Sequence, residues 1–287
     1  MKILVIGSNG QLGSELKYLS NQESSFEFLF TDVQELDATD FQALKRYCDN
    51  NQPDFIVNCA AYTAVDIAET DADLAELINV SIPKYIGSIA KISKTKVIHV
   101  STDYVFDGTA CVPYTEDDLV GPNSVYGKTK LNGEIALIKE NPEAVIIRTS
   151  WLYSAFGKNF VKTMLKLGEE REKLSVISDQ IGTPTYALDL AQTILEIIKQ
   201  TEDNWHPGIY HYSNEGVASW YDFAKQIHEI GKISCTVFPI ETKDYPTPAQ
   251  RPSYSVLNKS KIKNTYGIEI PYWRDSLKAC INILKTQ

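Results

Sequence analysis

Tyr126 and Lys130 stand four residues apart in Ser124-Val-Tyr-Gly-Lys-Thr-Lys130. If that stretch opens a helix, both side chains fall on one face. A phenol and an ammonium in one small site can do acid–base chemistry. The lysine charge favours the phenolate and draws the tyrosine pKa below its unperturbed value of about 10. Such a tyrosine can give a proton to a developing alkoxide near neutral pH, or take one from an alcohol. A Tyr-x-x-x-Lys also occurs on ordinary surface helices, so the pair acquires meaning only if the rest of the chain supplies partners.

A first partner stands at the N-terminus. Lys2-Ile-Leu-Val-Ile6 is a continuous aliphatic run, as a strand buried on both faces should be. Gly7-Ser-Asn-Gly10-Gln-Leu-Gly13 follows and leads into a helical pattern. A glycine turn between strand and helix lets the backbone approach a pyrophosphate, with helix N–H groups aimed at it. The spacing is G-x-x-G-x-x-G, so Gly7, Asn9, Gly10, Gln11 and Leu12 are the candidate dinucleotide contacts, against a simple glycine-rich turn. Glu27-Phe-Leu-Phe30 reads as the second strand and ends at Asp32, where an acid usually meets a ribose hydroxyl. Asp32 would repel a 2′-phosphate and so leans toward NADH, although a strand-end turn aspartate is common. Asp37 and Ala38 open the next helix, 39–50, and are placed to face the adenine.

Strands alternate with helices through residue 150. The third strand leads from Asn58 into Cys59-Ala-Ala-Tyr62-Thr63, where small residues suit a ligand lying across a sheet edge, with Ala60, Ala61 and Tyr62 the candidates. A long helical pattern from 71 to 93 is interrupted near Ser81-Ile-Pro83 and carries Asn79. Lys96-Val-Ile-His-Val100 is the fourth strand and ends at Thr102, where an α/β sheet places its site. The Tyr126 helix follows, then a fifth strand ending at Thr149-Ser-Trp151. This alternation indicates an α/β fold with a Rossmann-type, doubly wound parallel sheet. Residues 1–150 form the dinucleotide-binding part. Residues 151–287 read mainly as a smaller, interleaved substrate domain, with segments near 180–215 returning to the first. The Pro/Thr/Ser-rich stretch 241–258, with Arg251, is a loop of the kind that covers a site.

The 287-residue chain carries 28 basic and 37 acidic residues, a net charge of −9, which argues against nucleic acid or an anionic membrane as partner. Its five cysteines (48, 59, 111, 235 and 280) form no C-x-x-C pair, and no run reaches membrane-spanning length. A reducing, cytoplasmic setting is expected. The four histidines show no metal-ligand spacing.

Four signals now sit together: the glycine turn, Asn79, Thr102 and Tyr126-x-x-x-Lys130. Together they resemble the extended short-chain dehydrogenase/reductase superfamily. Asn58-Cys-Ala-Ala-Tyr-Thr-Ala-Val-Asp66, Ser101-Thr-Asp-Tyr-Val-Phe-Asp-Gly108, Arg148-Thr-Ser-Trp151, Asp179-Gln-Ile-Gly-Thr-Pro-Thr185 and Arg251-Pro-x-x-Ser255-x-Leu-Asn258 narrow the likeness to its reductases of dTDP-linked 4-keto-6-deoxyhexoses. The likeness spans nearly the whole chain and implies NADPH or NADH as cofactor. It implies that Tyr126 protonates O4 of the sugar, that Thr102 bonds the same oxygen, and that Lys130 holds the ribose and tunes Tyr126. Asn79 would extend a proton relay through water. Thr63, Val65, Asp103, Tyr104 and Trp151 would contact the sugar, and Arg251 the diphosphate, although a surface charge is an equal reading for Arg251. Some relatives carry Mg²⁺ at a dimer contact, where Glu15 would be one carboxylate. One carboxylate is not a site, so no metal is expected. The chain is expected to act as a monomer or homodimer.

Three other functions stay open. Dehydratases of this superfamily carry Thr-Asp-Glu where this chain has Thr102-Asp103-Tyr104, and the missing glutamate speaks against water elimination. A 4-epimerase or another nucleotide-sugar 4-reductase would use the same Tyr/Lys pair. A dinucleotide-binding regulatory subunit, like that of methionine adenosyltransferase, would need none of it.

Overall fold

The computed structural model describes residues 1–201 and 204–286. Its centre is a sheet of six parallel strands. Five come from the first half: β1 (Lys2–Ile6), β2 (Glu27–Thr31), β3 (Phe55–Asn58), β4 (Lys96–Thr102) and β5 (Val145–Thr149). The sixth, Gly208–His211, joins β5 at the edge, so the order across the sheet is Gly208–His211, β5, β4, β3, β1, β2. Every pairing is parallel, which requires crossover helices on both faces.

Strand alternation divides the core in two. Ile3, Val5, Val57, Ile98, Val145 and Ile147 face one layer, where α1 (Gln11–Ser20) and helix Ala187–Lys199 pack. Leu4, Ile6, Ile56, Val97 and Ile146 face the other, against α2 (Phe41–Asn51), helix Ile82–Ser93 and Leu137 of helix Val125–Glu140. A period of two in the strands thus builds both layers.

The pattern read as one interrupted helix over 71–93 divides into a helix at Ala72–Glu76, a π-turn at Leu77–Ser81 and a helix at Ile82–Ser93. Pro83 does not stop the chain. It occupies the first turn of the last helix, where its missing N–H costs nothing. The π-turn widens the spiral and turns Asn79 inward, to 1% exposure.

The second half builds a separate core. Helices Phe160–Glu170, Trp220–Gly231 and Trp273–Leu284 enclose Val161, Phe223, Ile227, Leu277 and Ile281, beside the parallel pair Lys173–Ile177 and Thr236–Ile240. Two residues of each of two short strands, Ile181–Gly182 and Ala218–Ser219, pair antiparallel.

Candidate active site

The glycine turn closes on the sheet as its spacing requires. Gly7 has φ +80°, and a Cβ there would come within 2.6 Å of the Ala60 nitrogen, so only glycine lets β1 turn beside β3. Gly10 caps α1 without any side-chain hydrogen bond. The helix N-terminus is therefore left to whatever anion approaches it. A cleft of about 260 Å³ opens above, lined by Gly7, Gly10, Asp32, Asp37, Ala38, Ala60 and Ala61. These are residues read as cofactor contacts from sequence. Val33, Thr39 and Ile78 line it too and carried no motif of their own, and so does Cys59, which stood in the Asn58–Asp66 motif without being singled out.

Details differ from residue to residue. Asp32 accepts hydrogen bonds from the backbone N–H groups of Asn9 and Val33, at 2.9 Å each, so its carboxylate also ties the turn to β2. Leu12 is buried in the core, and only its backbone can face a ligand. The Gln11 amide accepts from Asn159 at 3.0 Å, reaching toward the second half of the chain.

Ser124 caps helix Val125–Glu140 by accepting from the Gly127 N–H at 3.1 Å, which places Tyr126 in the first turn. The helix comes so close to the Tyr104 carbonyl that any Cβ at position 127 would collide with it. Tyr126 is thereby brought against the end of β4. Its ring meets that of Tyr104 edge-on, with centroids 5.4 Å apart, and packs with Tyr62 and Val65. The Thr102 hydroxyl lies against the phenol and pulls its pKa down, but burial outweighs it and holds Tyr126 up at about 12. Lys130 is 1% exposed and donates to the Val100 carbonyl at 2.7 Å. Burial drops its pKa to about 8, against a smaller upward pull from Glu134.

This corrects the expectation that Lys130 draws the phenol toward neutrality. Desolvation penalises the charged form of each group, so the phenol rises and the ammonium falls. Helical spacing says nothing about burial.

Thr102 donates to Asp103 Oδ1 at 2.9 Å and accepts from the Tyr104 N–H at 3.2 Å. Asp103 is 1% exposed, and burial lifts its pKa to about 6. Its Oδ2 has no hydrogen-bond partner of good geometry among the described residues, although Ser255 faces the carboxyl. Asp103 was read as a sugar contact, yet it lies beneath Thr102. Burial also pushes the Tyr104 phenol far up, so it keeps its proton and cannot serve as the base that a dehydratase needs.

Asn79, read as a proton relay, has its side chain committed. Its oxygen accepts from the Tyr62 N–H at 2.9 Å, and its nitrogen donates to the Tyr62 carbonyl and to Thr129. Both amide protons are used, so the side chain braces the Tyr62 loop and leaves no proton for a bridging water. Arg251 also has a partner that sequence did not show. Its guanidinium spans the Asp66 carboxylate at 3.0 and 2.6 Å and donates to Thr247 at 2.6 Å. Asp66 stood in plain view inside the Asn58–Asp66 motif, but nothing in the sequence pairs it with a residue 185 positions away. Thr63 is exposed. Trp151 follows β5, whose Thr149 is in register with Thr102. Glu15 is 2% exposed and accepts from Ser154 at 2.6 Å. No group of three metal-ligating side chains occurs among the described residues.

A parallel sheet with a glycine turn at β1, and a buried Thr/Tyr/Lys set at the end of β4, define the class: a Rossmann-type protein of the short-chain dehydrogenase/reductase kind. The model of the RmlD substrate binding domain matches residues 1–286. A dTDP-4-dehydrorhamnose reductase of Aggregatibacter actinomycetemcomitans is 40% identical over 285 residues, covering 96% of this chain and 97% of its own. Two crystal structures of dTDP-4-dehydrorhamnose reductases superpose closely. That from Clostridium acetobutylicum has a TM-score of 0.95 at 43% identity, covering 99% of this chain and 100% of its own. That from Bacillus anthracis, in complex with NADP, has 0.94 at 35%, covering 98% and 99%. The chain belongs to the dTDP-4-dehydrorhamnose reductase family.

Proposed function

We propose that the chain reduces the C4 keto group of dTDP-6-deoxy-L-lyxo-4-hexulose to dTDP-L-rhamnose with NADPH or NADH, the last step of dTDP-rhamnose formation. The observation that carries this is the buried Tyr126 phenol, held at about 12 beside Thr102 at the end of β4, in the same sheet whose β1 ends in the glycine turn. A group in that state is a proton donor. It keeps its proton at neutral pH and yields it to an alkoxide, which is the stronger base.

The bound dinucleotide supplies the hydride, which becomes the new C4–H bond. The glycine turn and the N-terminus of α1 would hold its pyrophosphate, and Asp32 its ribose. Lys130 spends one of its three donors on Val100 and has two left for ribose hydroxyls. As C4 accepts the hydride, the carbonyl π pair moves onto O4, and Tyr126 transfers its proton there. Thr102 would bond the same oxygen by turning its one hydroxyl proton from Asp103 to O4. Val65 and Tyr104 pack around Tyr126, and they are assigned, with Thr63 and Trp151, to contacts with the sugar. Asp32 favours a free 2′-hydroxyl, hence NADH, whereas the Bacillus anthracis relative was solved with NADP. Both cofactors therefore belong in the test. We infer a cytoplasmic enzyme, as monomer or homodimer. Among the described residues no helix is long and apolar enough to cross a membrane.

A coupled assay tests the reading: dTDP-glucose processed to the 4-keto-L-sugar, each reduced dinucleotide in turn, and the product identified by NMR. Stoichiometric loss of reduced dinucleotide with formation of dTDP-L-rhamnose is expected. An intact keto-sugar, with a 4-hydroxy nucleotide sugar inverted at C4 and no dinucleotide consumed, would instead mark an epimerase. Binding of dinucleotide with no turnover of any keto-sugar would mark a regulatory subunit.

A further inference from the structure

Trp151 is the one residue outside a helix cap whose backbone is left-handed without being glycine, among the described residues. Its φ is +48°, while Gln52, Lys94 and Lys232, the others with positive φ, are all helix C-caps. A bulky residue in that region is strained and persists only where its surroundings over-determine it. Here the indole stacks on Trp220, with centroids 3.7 Å apart and planes 10° from parallel. Trp220 leans in turn on Phe160, at 4.7 Å. The edge of the Trp151 ring rests on Gly182, where a Cβ would come within 2.6 Å of Cε2 and within 2.8 Å of the Ser255 hydroxyl. Gly182 and Trp220 belong to one frame. Gly182 pairs with Ala218, Ile181 pairs with Ser219, and Ser219 caps the helix that begins at Trp220. Ser219 and Asp222 form a reciprocal capping box, which fixes that first turn. Both tryptophans stay half-buried, so the stack is not closed off as core.

We propose that Trp220 is a positioning residue for substrate recognition: it holds Trp151 in its left-handed conformation, so that the free indole face meets the apolar C–H face of the keto-sugar. This rests on the reductase reading above. A tryptophan with two free torsions would sample several orientations, and each bound sugar would have to select one. The stack removes that freedom beforehand, which lowers the ordering cost of binding. The effect falls on the sugar, because the dinucleotide cleft is lined by other residues.

The test uses the full chain with Trp220→Phe, Trp220→Leu and Trp220→Ala, each checked for folding by its melting transition. An aromatic pair is worth enough to expect a roughly three- to tenfold rise in KM for the nucleotide sugar in Trp220→Leu, with dinucleotide affinity unchanged and kcat nearly so. Trp220→Phe keeps a stacking ring and should recover most of the loss. Stacked indoles also give an exciton couplet in circular dichroism. It should vanish in all three variants and shift in the wild type when the sugar nucleotide is added. A wild-type KM in Trp220→Leu despite loss of the couplet overturns the proposal, since apolar volume would then suffice. Equal losses in Trp220→Phe and Trp220→Leu overturn it too. If the wild type fails to turn over the keto-sugar, the reductase reading fails. The couplet and its response to dTDP-sugar still judge the platform.

Discussion

A proton donor must keep its proton until the substrate oxygen needs it, and burial does this for Tyr126. Tyr126→Phe should retain dinucleotide binding, measured by fluorescence titration, and lose about 10²–10⁴-fold in kcat. Lys130 behaves in the opposite sense. Its pKa is lowered to about 8, so the free protein loses this charge as pH rises through that value. The kcat/KM for reduced dinucleotide should fall above pH 8, and Lys130→Met should lack that limb. A flat profile to pH 9.5 would remove Lys130 from the binding step. Asp103 gives a third expectation. Its folded pKa of about 6 lies above its ordinary carboxylate value, so the folded state holds a proton that the unfolded chain has released. The stabilising proton is fully present below the unfolded value, and stability falls as pH rises through about 6. The slope amounts to on the order of 3 kcal/mol at most. Asp103→Asn keeps an oxygen for the Thr102 hydroxyl and removes the charge. Denaturant titrations between pH 4 and 7 should show the slope in the wild type and lose it in the variant. The residue types for this chemistry were legible from the sequence, down to their positions. Their ionisation was not, because it depends on how far each is removed from water.

At the scale of elements, the end of the 241–258 loop is tied to the first half by backbone hydrogen bonds of 254–258 with Gly108 and Tyr114, whereas around Arg251 the tie is Asp66, which pairs with the guanidinium and accepts from the Ala249 N–H. Arg251 and Asp66 are partly exposed, so the pair contributes modestly, below about 1 kcal/mol. Asp66→Asn should leave the melting temperature almost unchanged. It should raise hydrogen exchange in 245–251 and raise KM for the sugar nucleotide, because the loop's position rather than the protein's stability depends on the pair. Exchange in that segment equal to the wild type would show that the loop is held by other contacts. The helix starts and strands of the first half followed from caps, glycines and apolar runs, each of them local. The π-turn at Leu77–Ser81 and the Trp151–Trp220 stack did not. The first turns Asn79 onto the Tyr62 backbone, a contact 17 positions away, and the second joins residues 69 positions apart in sequence by stacking alone, for which no spacing rule exists.

For the molecule as a whole, the sheet is completed from the far half of the chain. We propose two interleaved domains, the first comprising 1–150 together with 187–211. Helix Ala187–Lys199 covers α1 and one sheet face, and Gly208–His211 covers the edge of β5. A fragment ending at residue 150 should therefore fail to fold cooperatively, as judged by thermal circular dichroism, although it holds every cofactor motif. A fragment that melts cooperatively and binds dinucleotide would show that the first half is autonomous. This architecture has a consequence for synthesis. The ribosome finishes β5 well before it delivers its neighbour. At roughly 5–20 residues per second, the nascent sheet spends several seconds with an open, aliphatic edge beside Val145, Ile146 and Ile147. That interval is when the growing chain is most exposed to mispairing, and a chaperone that binds apolar strands would find its target there.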